Sequence, residues 1–390
     1  MNSRCERVHS EWIGNWLRMR SNRSRTPPFA AVLLGGVLLL ACRSGTQADH
    51  ATGDSPALIT TSVSNTTSVS NTASVSNTTT VSITASVSVS NTTTVSNTAS
   101  TSKTRTTVSP GSTTAGAVEW TSRCGRVGAA PKRYDHVIWI WMENKNTAAI
   151  LGSTQAPFLH ELATECGSTT DFVDNGVHPS LPNYIEATSG NTQGVADDRL
   201  PSAHPLTVDN IFRQVRGAGG TAKSYEESMP SNCSIDSTSK YAAKHNPAAY
   251  YVGGDDRTAC EKDDVPFDRF AVDLDTNLPS FSFITPDICN DMHSCPVTTG
   301  DDWLRGVVGA ITASPTYRAG STALFVVFDE SEGAGSMPFY AVAPSIVPGT
   351  VADQRWDHSA LLAFTEDALD VGSHLGHTQG TADLAAAFGL

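Results

Sequence analysis

Several apolar runs of this 390-residue chain end in acidic residues, the pattern that a cation site requires. The run HVIWIWM leads into Glu143-Asn144, and ALFVVF leads into Asp329-Glu330. FSFIT leads into Pro286-Asp287, then Asn290-Asp291 and His293, and the short run at 222–225 leads into Glu226-Glu227. In a parallel sheet all strand C-termini share one edge, so residues far apart in sequence converge there. Carboxylates gathered in this way repel one another unless a cation neutralises them. Oxygen-rich donors with a few histidines suit Zn, Mn, Mg or Ca. Any one of these carboxylates, taken alone, reads equally well as a helix cap or a solvated loop residue. Their repetition at several strand ends is what points to a divalent metal ion.

The second chemical signal is HPSLPNY. His178-Pro179-Ser180-Leu181-Pro182-Asn183-Tyr184 places a serine between two prolines, just before the helix-like IEATSG. A serine at a helix start lies near backbone N–H groups that favour anions. A neighbouring metal would activate its hydroxyl as a nucleophile without a histidine base. The competing reading of Ser180 is a simple helix N-cap. GxSxG, HExxH and a Walker loop are absent, which removes the α/β-hydrolase elbow, the zincin helix and the P-loop from consideration.

The elements that must carry these residues follow from periodicity. His136–Met142, Phe281–Thr285 and Thr322–Phe328 are apolar throughout and of strand length, with shorter strands at 222–225 and 339–343. Residues 156–166, 208–217 and 358–369 read as helices, the second stopping at Gly217. Buried strands alternating with helices predict an α/β fold, with a mostly parallel central sheet flanked by helices on both faces.

Nothing before residue 118 can build such a core. Residues 1–41 combine a basic stretch with the apolar PFAAVLLGGVLLL, too short to span a bilayer comfortably, and read as an export signal. The ending Leu-Leu-Ala-Cys resembles a bacterial lipobox, so Cys42 is expected to carry a lipid that anchors an exported protein at the cell membrane. Residues 42–117 are rich in Ser, Thr, Val and Asn, with SVSNT repeated from Ser62, Ser68 and Ser74. Such a tract buries too little apolar surface to offset the entropy of ordering, and reads as a stalk. Residues 118–390 remain as the catalytic domain. Beyond Cys5 and Cys42, the cysteines Cys124, Cys166, Cys233, Cys260, Cys289 and Cys295 suggest three disulfides in an exported domain. Spacing leaves the connectivity open; pairing of nearest neighbours is the expectation. The net charge is −13, and removing residues 1–41, with six Lys/Arg and two Asp/Glu, makes it more negative. That argues against nucleic acid as a partner. It also leaves any phosphate substrate dependent on local positive charge. A monomer is expected.

WMEN, HPSLPNY, ESMPSNC, KHNP, FSFITPDICNDMHSC and VVFDE, in this order, resemble the phosphoesterase family of bacterial and fungal acid phosphatases and phospholipases C, within the alkaline-phosphatase-like superfamily. The resemblance implies hydrolysis of a phosphate ester. Position by position, it implies that Glu143, Asn144, Asp329 and Glu330 hold a metal and that Ser180 is the nucleophile. Asp291 and His293 would bind a second metal or the phosphate. His358 is similar to the family's late histidine, so His293 or His358 would protonate the leaving alcohol. His178, Asn183 and His245 would face the substrate. A phospholipase C or phosphodiesterase is the alternative within the family. A catalytically inactive surface binding protein on a stalk is the alternative outside it.

Overall fold

A computed structural model describes residues 122–390, apart from 334 and 379–382. The signal, lipid-site and stalk expectations lie outside the described residues. Eight strands form one sheet: β1 (His136–Met142), β2 (Gly167–Phe172), β3 (Ala222–Glu226), β4 (Asp264–Pro266), β5 (Phe281–Thr285), β6 (Thr322–Phe328), β7 (Phe339–Val342) and β8 (Thr350–Trp356). Their order is β4-β3-β5-β1-β6-β7-β2-β8. Every pairing is parallel except those of β7, which runs antiparallel to both β6 and β2. The expected α/β architecture is therefore present, with one reversed strand. No helix among the described residues is long and apolar enough to cross a membrane.

The central strands are apolar because both faces are covered. Every residue of β5 and β6, and all of β1 but His136, is buried. Alternation along β1 sends Trp139 and Trp141 to the same face. There Trp141 stacks on Phe283 and on Tyr184, with ring centroids 5.5 and 4.8 Å apart. Trp139 donates its indole N–H to Thr365 in the helix His358–Ala368. The helix Ser180–Ser189 packs on that same helix.

Register carries the acidic residues together. Met142 lies opposite Phe328, so the residues that follow them, Glu143 and Asp329, leave the sheet side by side. On the other flank Ile140 pairs with Ile284, which brings the turn after β5 to the same edge. The Glu143 N–H donates to the carbonyl of Asp291 at 2.8 Å, closing that turn onto the end of β1. The helix Ser180–Ser189 ends at Gly190, whose φ of 74° suits the left-handed C-cap. A Cβ there would meet the Leu375 carbonyl oxygen at 2.5 Å, and one on Gly376 would meet the Gly190 oxygen at 2.1 Å. Only two glycines back to back permit this approach.

The three disulfides are 124–166, 233–260 and 289–295, the expected nearest-neighbour set. The last closes a six-residue separation around Asp291 and His293.

Farther along that edge, beyond β5, β3 ends in Glu226 and the short β4 begins with Asp264, both buried. Burial, then the charge of Asp264, raises the Glu226 carboxyl well above its ordinary range, and burial raises Asp264 to about 7. Both folded values lie above the unfolded ones. The stability these groups contribute is thus full below about pH 4 and is lost as pH rises through about 7. Glu226→Gln removes one of the two charges. Thermal melts should show it more stable than the parent by about 2–6 °C at pH 8 and little changed at pH 5, the scale of about 1–2 kcal/mol in a domain of this size. Equal shifts at both pH values would contradict the coupling.

Candidate active site

Ser180 is the first residue of its helix. The N-cap is Pro179, which follows a cis peptide from His178 and offers no side-chain cap. The hydroxyl is thus not spent on capping, and the simple N-cap reading fails. It donates instead to Glu143 Oε2 at 3.2 Å, fully buried, and stands near enough to Asp329 to lower that carboxyl against the rise from burial. One helical turn later, Tyr184 donates its phenol to Glu143 Oε1. The spacing of four residues puts Ser180 and Tyr184 on one face, aimed at one carboxylate.

Asn144 has a φ of 46°, a left-handed conformation uncommon for a non-glycine residue and frequent at functional sites. The turn lets its backbone N–H reach Asp329 Oδ1 at 3.0 Å and its side-chain amide reach Glu330 Oε1 at 3.1 Å. Glu330 accepts from His178 with its other oxygen. That bond is the first cause raising the His178 imidazole above its usual value. Asp174, at the end of the β2 segment, holds the Ser331 N–H at 3.0 Å and so fixes the loop that carries Asp329-Glu330.

The turn after β5 supplies the third side of the site. Asp291 accepts the His293 N–H at 2.7 Å. His245 stacks on Tyr184, with centroids 5.4 Å apart. Its Nε2 lies 3.1 Å from Glu143 and its Nδ1 3.4 Å from Asp291, at ion-pair distance without hydrogen-bond alignment. Burial lowers the pKa of the His245 ring, which sits between the two carboxylates. The His293 ring stands 5.8 Å from His245.

Glu143, Asn144, Ser180, Asp291, Asp329 and Glu330 thus converge at one sheet edge, with His178, His245 and His293 around them. Asn183 stands apart from the carboxylates. Its amide donates to the Val177 carbonyl at 3.0 Å and closes the loop before Ser180, although its buried Oδ1 has no partner. His358 corrects an expectation. It is buried against Trp141 and Phe172, and its Nε2 donates to the Phe328 carbonyl at 3.0 Å. From there it braces the strand end that precedes Asp329, with its Nε2 hydrogen committed to a backbone carbonyl and not to the gathered carboxylates.

The reading of the sequence missed three residues. Tyr184 lay within HPSLPNY and was detectable by its four-residue spacing from Ser180. Lys244, next to His245 in KHNP, pairs with Asp198 at 2.8 Å. Asp198 has no local signal; only the folded chain brings its Oδ1 to the Leu181 N–H at 3.0 Å.

The charge balance of the site asks for a cation. Glu143, Asp291 and Asp329 are buried together, and burial followed by mutual repulsion raises the Glu143 carboxyl well above its ordinary range. Asp329 Oδ2, Asp291 Oδ2 and Asn144 Oδ1 are buried without hydrogen-bond partners. Buried carboxylate and amide oxygens left orphaned fit a hard divalent ion that accepts oxygen donors.

The chain matches the model of the Phosphoesterase family over residues 48–372. It is 29% identical over 238 residues to a phosphatidylinositol-3-phosphatase of Mycobacterium tuberculosis, covering 59% of this chain and 77% of the relative. It is 31% identical over 275 residues to a probable acid phosphatase of Kluyveromyces lactis, covering 66% of this chain and 62% of the relative. A solved structure of an alkaline phosphatase superfamily protein from Vibrio parahaemolyticus aligns with a TM-score of 0.46 at 12% identity, over 68% of this chain and 74% of that one. The family match runs through every strand of the sheet and through all the residues gathered at its edge, and the chain belongs to the phosphoesterase family, whose members are phosphoric ester hydrolases.

Proposed function

We propose that the protein is a divalent-metal-dependent phosphatase that cleaves phosphoric monoesters through a phospho-serine intermediate on Ser180. The observation that carries this reading is the Ser180 hydroxyl lodged against Glu143, with Asp329 near. Glu143, Asn144, Asp329 and Glu330 would hold the cation, with Asp291 beside them. When bound, the ion supplies positive charge that lowers the pKa of the Ser180 hydroxyl and stabilises developing negative charge.

The chain itself supplies the rest. Glu143 Oε2 is in place to accept the Ser180 proton. The Ser180 Oγ–P bond forms as the bond from phosphorus to the leaving oxygen breaks. A proton on the leaving oxygen then yields the free alcohol. His293, exposed at the rim, is the donor in this reading, and His178, more than half exposed, is the second candidate. Water attacks phosphorus, the P–Oγ bond breaks, and orthophosphate leaves with Ser180 restored.

The relative named for a phosphoinositide phosphatase supports a phosphorylated lipid headgroup as one monoester in range. In this reading residues 1–41 direct export, Cys42 carries the lipid anchor, and residues 42–117 hold the catalytic domain away from the membrane.

The test is hydrolysis of a chromogenic aryl phosphate monoester and the matching diester, before and after chelation. Monoester turnover should exceed diester turnover, fall at least ~10-fold on chelation and return with divalent metal. Turnover of neither ester would refute the proposal, and chelator-insensitive turnover would refute the metal.

A further inference from the structure

The site described so far carries several carboxylates and must still accept an anion. A phosphate monoester dianion approaching Glu143, Asp291, Asp329 and Glu330 meets strong repulsion, and the chain as a whole is acidic. Among the described residues, Lys244 is an ammonium close enough for its charge to act on Glu143 and Asp291. Lys244 forms part of the short turn Ala243–His245, directly before the imidazole that touches Glu143 and Asp291. Its Nζ pairs with Asp198 Oδ2 at 2.8 Å, and Asp198 Oδ1 holds the N–H of Leu181, the neighbour of Ser180. The ammonium is therefore tied through a single carboxylate to the first turn of the Ser180 helix. About a quarter of the side chain is exposed, so the charge is partly desolvated yet open to solvent on one side.

Its influence reaches Glu143, Asp291, His245 and His293. Lys145 pairs with Glu332 at 2.9 Å and Lys240 with Asp287 at 3.3 Å, and neither partner is tied to the Ser180 helix as Asp198 is.

Resting on the phosphatase reading above, we propose that Lys244 binds the non-bridging oxygens of the phosphate group and selects monoesters over diesters, and that Asp198 is the positioning residue that holds it there. The selection follows from charge. A monoester dianion presents one more negative charge to a fixed ammonium than a diester does. Removing the ammonium therefore costs the monoester more.

Lys244→Met and Lys244→Arg, compared with the parent chain, test this. Three readouts are needed: kinetics on an aryl phosphate and the matching aryl methyl phosphate, orthophosphate binding by calorimetry, and bound metal by elemental analysis. In Lys244→Met, monoester kcat/KM should fall roughly 10- to 100-fold with most of the loss in KM. Diester kcat/KM should fall less than about 3-fold, orthophosphate binding should weaken about 10-fold or more, and metal content should hold. Lys244→Arg should recover most of the monoester activity. Equal losses on both esters, or unchanged phosphate binding, would overturn the assignment. So would a parent chain that does not bind orthophosphate. A parent that binds orthophosphate but turns over neither ester refutes the catalytic reading, and calorimetry alone then decides the role of Lys244.

Discussion

Ser180→Ala should leave a folded, metal-binding protein whose turnover of phosphate monoesters is at least roughly 1,000-fold lower, because the variant lacks the oxygen that attacks phosphorus in the proposed reaction. The structural cost is small. Ser180 does not cap its helix, and the hydroxyl makes one hydrogen bond to a carboxylate that Tyr184 also serves. Losing it removes roughly 0.5–1.5 kcal/mol, a few degrees in a thermal melt. Quenched single-turnover experiments add a direct readout: labelled phosphate should remain covalently attached to the parent chain and not to the variant. Parent-like turnover in Ser180→Ala would remove the nucleophile from the proposal, whatever the metal does.

The second large effect concerns the carboxylates. Glu143→Ala and Asp329→Ala should each lose bound divalent metal, with activity reduced by a comparable roughly 1,000-fold. The melts should separate the role of these groups as ligands from a role in folding. Without metal, Glu143 and Asp329 repel each other in a buried setting. Each single variant should therefore melt at or above the metal-free parent. With metal, the parent gains stability in proportion to its binding and the variants do not, so the order reverses. Full metal occupancy in both variants, or the same ranking with and without metal, would show that the cation is held elsewhere.

Legibility from the sequence followed burial. β1, β5 and β6 lie at the centre of the sheet, are apolar on both faces and were readable to the residue. β2 (GSTTDF) and β8 (TVADQRW) were not, because strands near the sheet's edge keep polar and exposed residues and lose the apolar signature. β4 is three residues long and shows no period at all. The reversal of β7 was equally silent, since a four-residue buried strand reads the same in either direction. In the site, residues just after strong strands were recoverable: Glu143 and Asp329 owe their meeting to a register that any parallel pairing of β1 with β6 makes natural. Asp198 was not recoverable, because its contact with Leu181 depends on where a long loop settles. His358 misled for a related reason. A histidine at a helix start fits a catalytic role by spacing, yet here Nε2 is held by a backbone carbonyl and the ring packs on two aromatic neighbours.

The glycine pair at the rear of the Ser180 helix bears on how precisely Ser180 is placed. Gly190 and Gly376 press main chain against main chain, and the His377 N–H fastens the contact by donating to the Gly190 oxygen at 3.0 Å. At its front the same helix is pinned by Asp198 and by the carboxylate that receives Ser180 and Tyr184. A rod clamped at both tips cannot recoil along its axis. The C-terminal turn, though remote from the carboxylates, therefore helps to fix where the front of the helix presents Ser180.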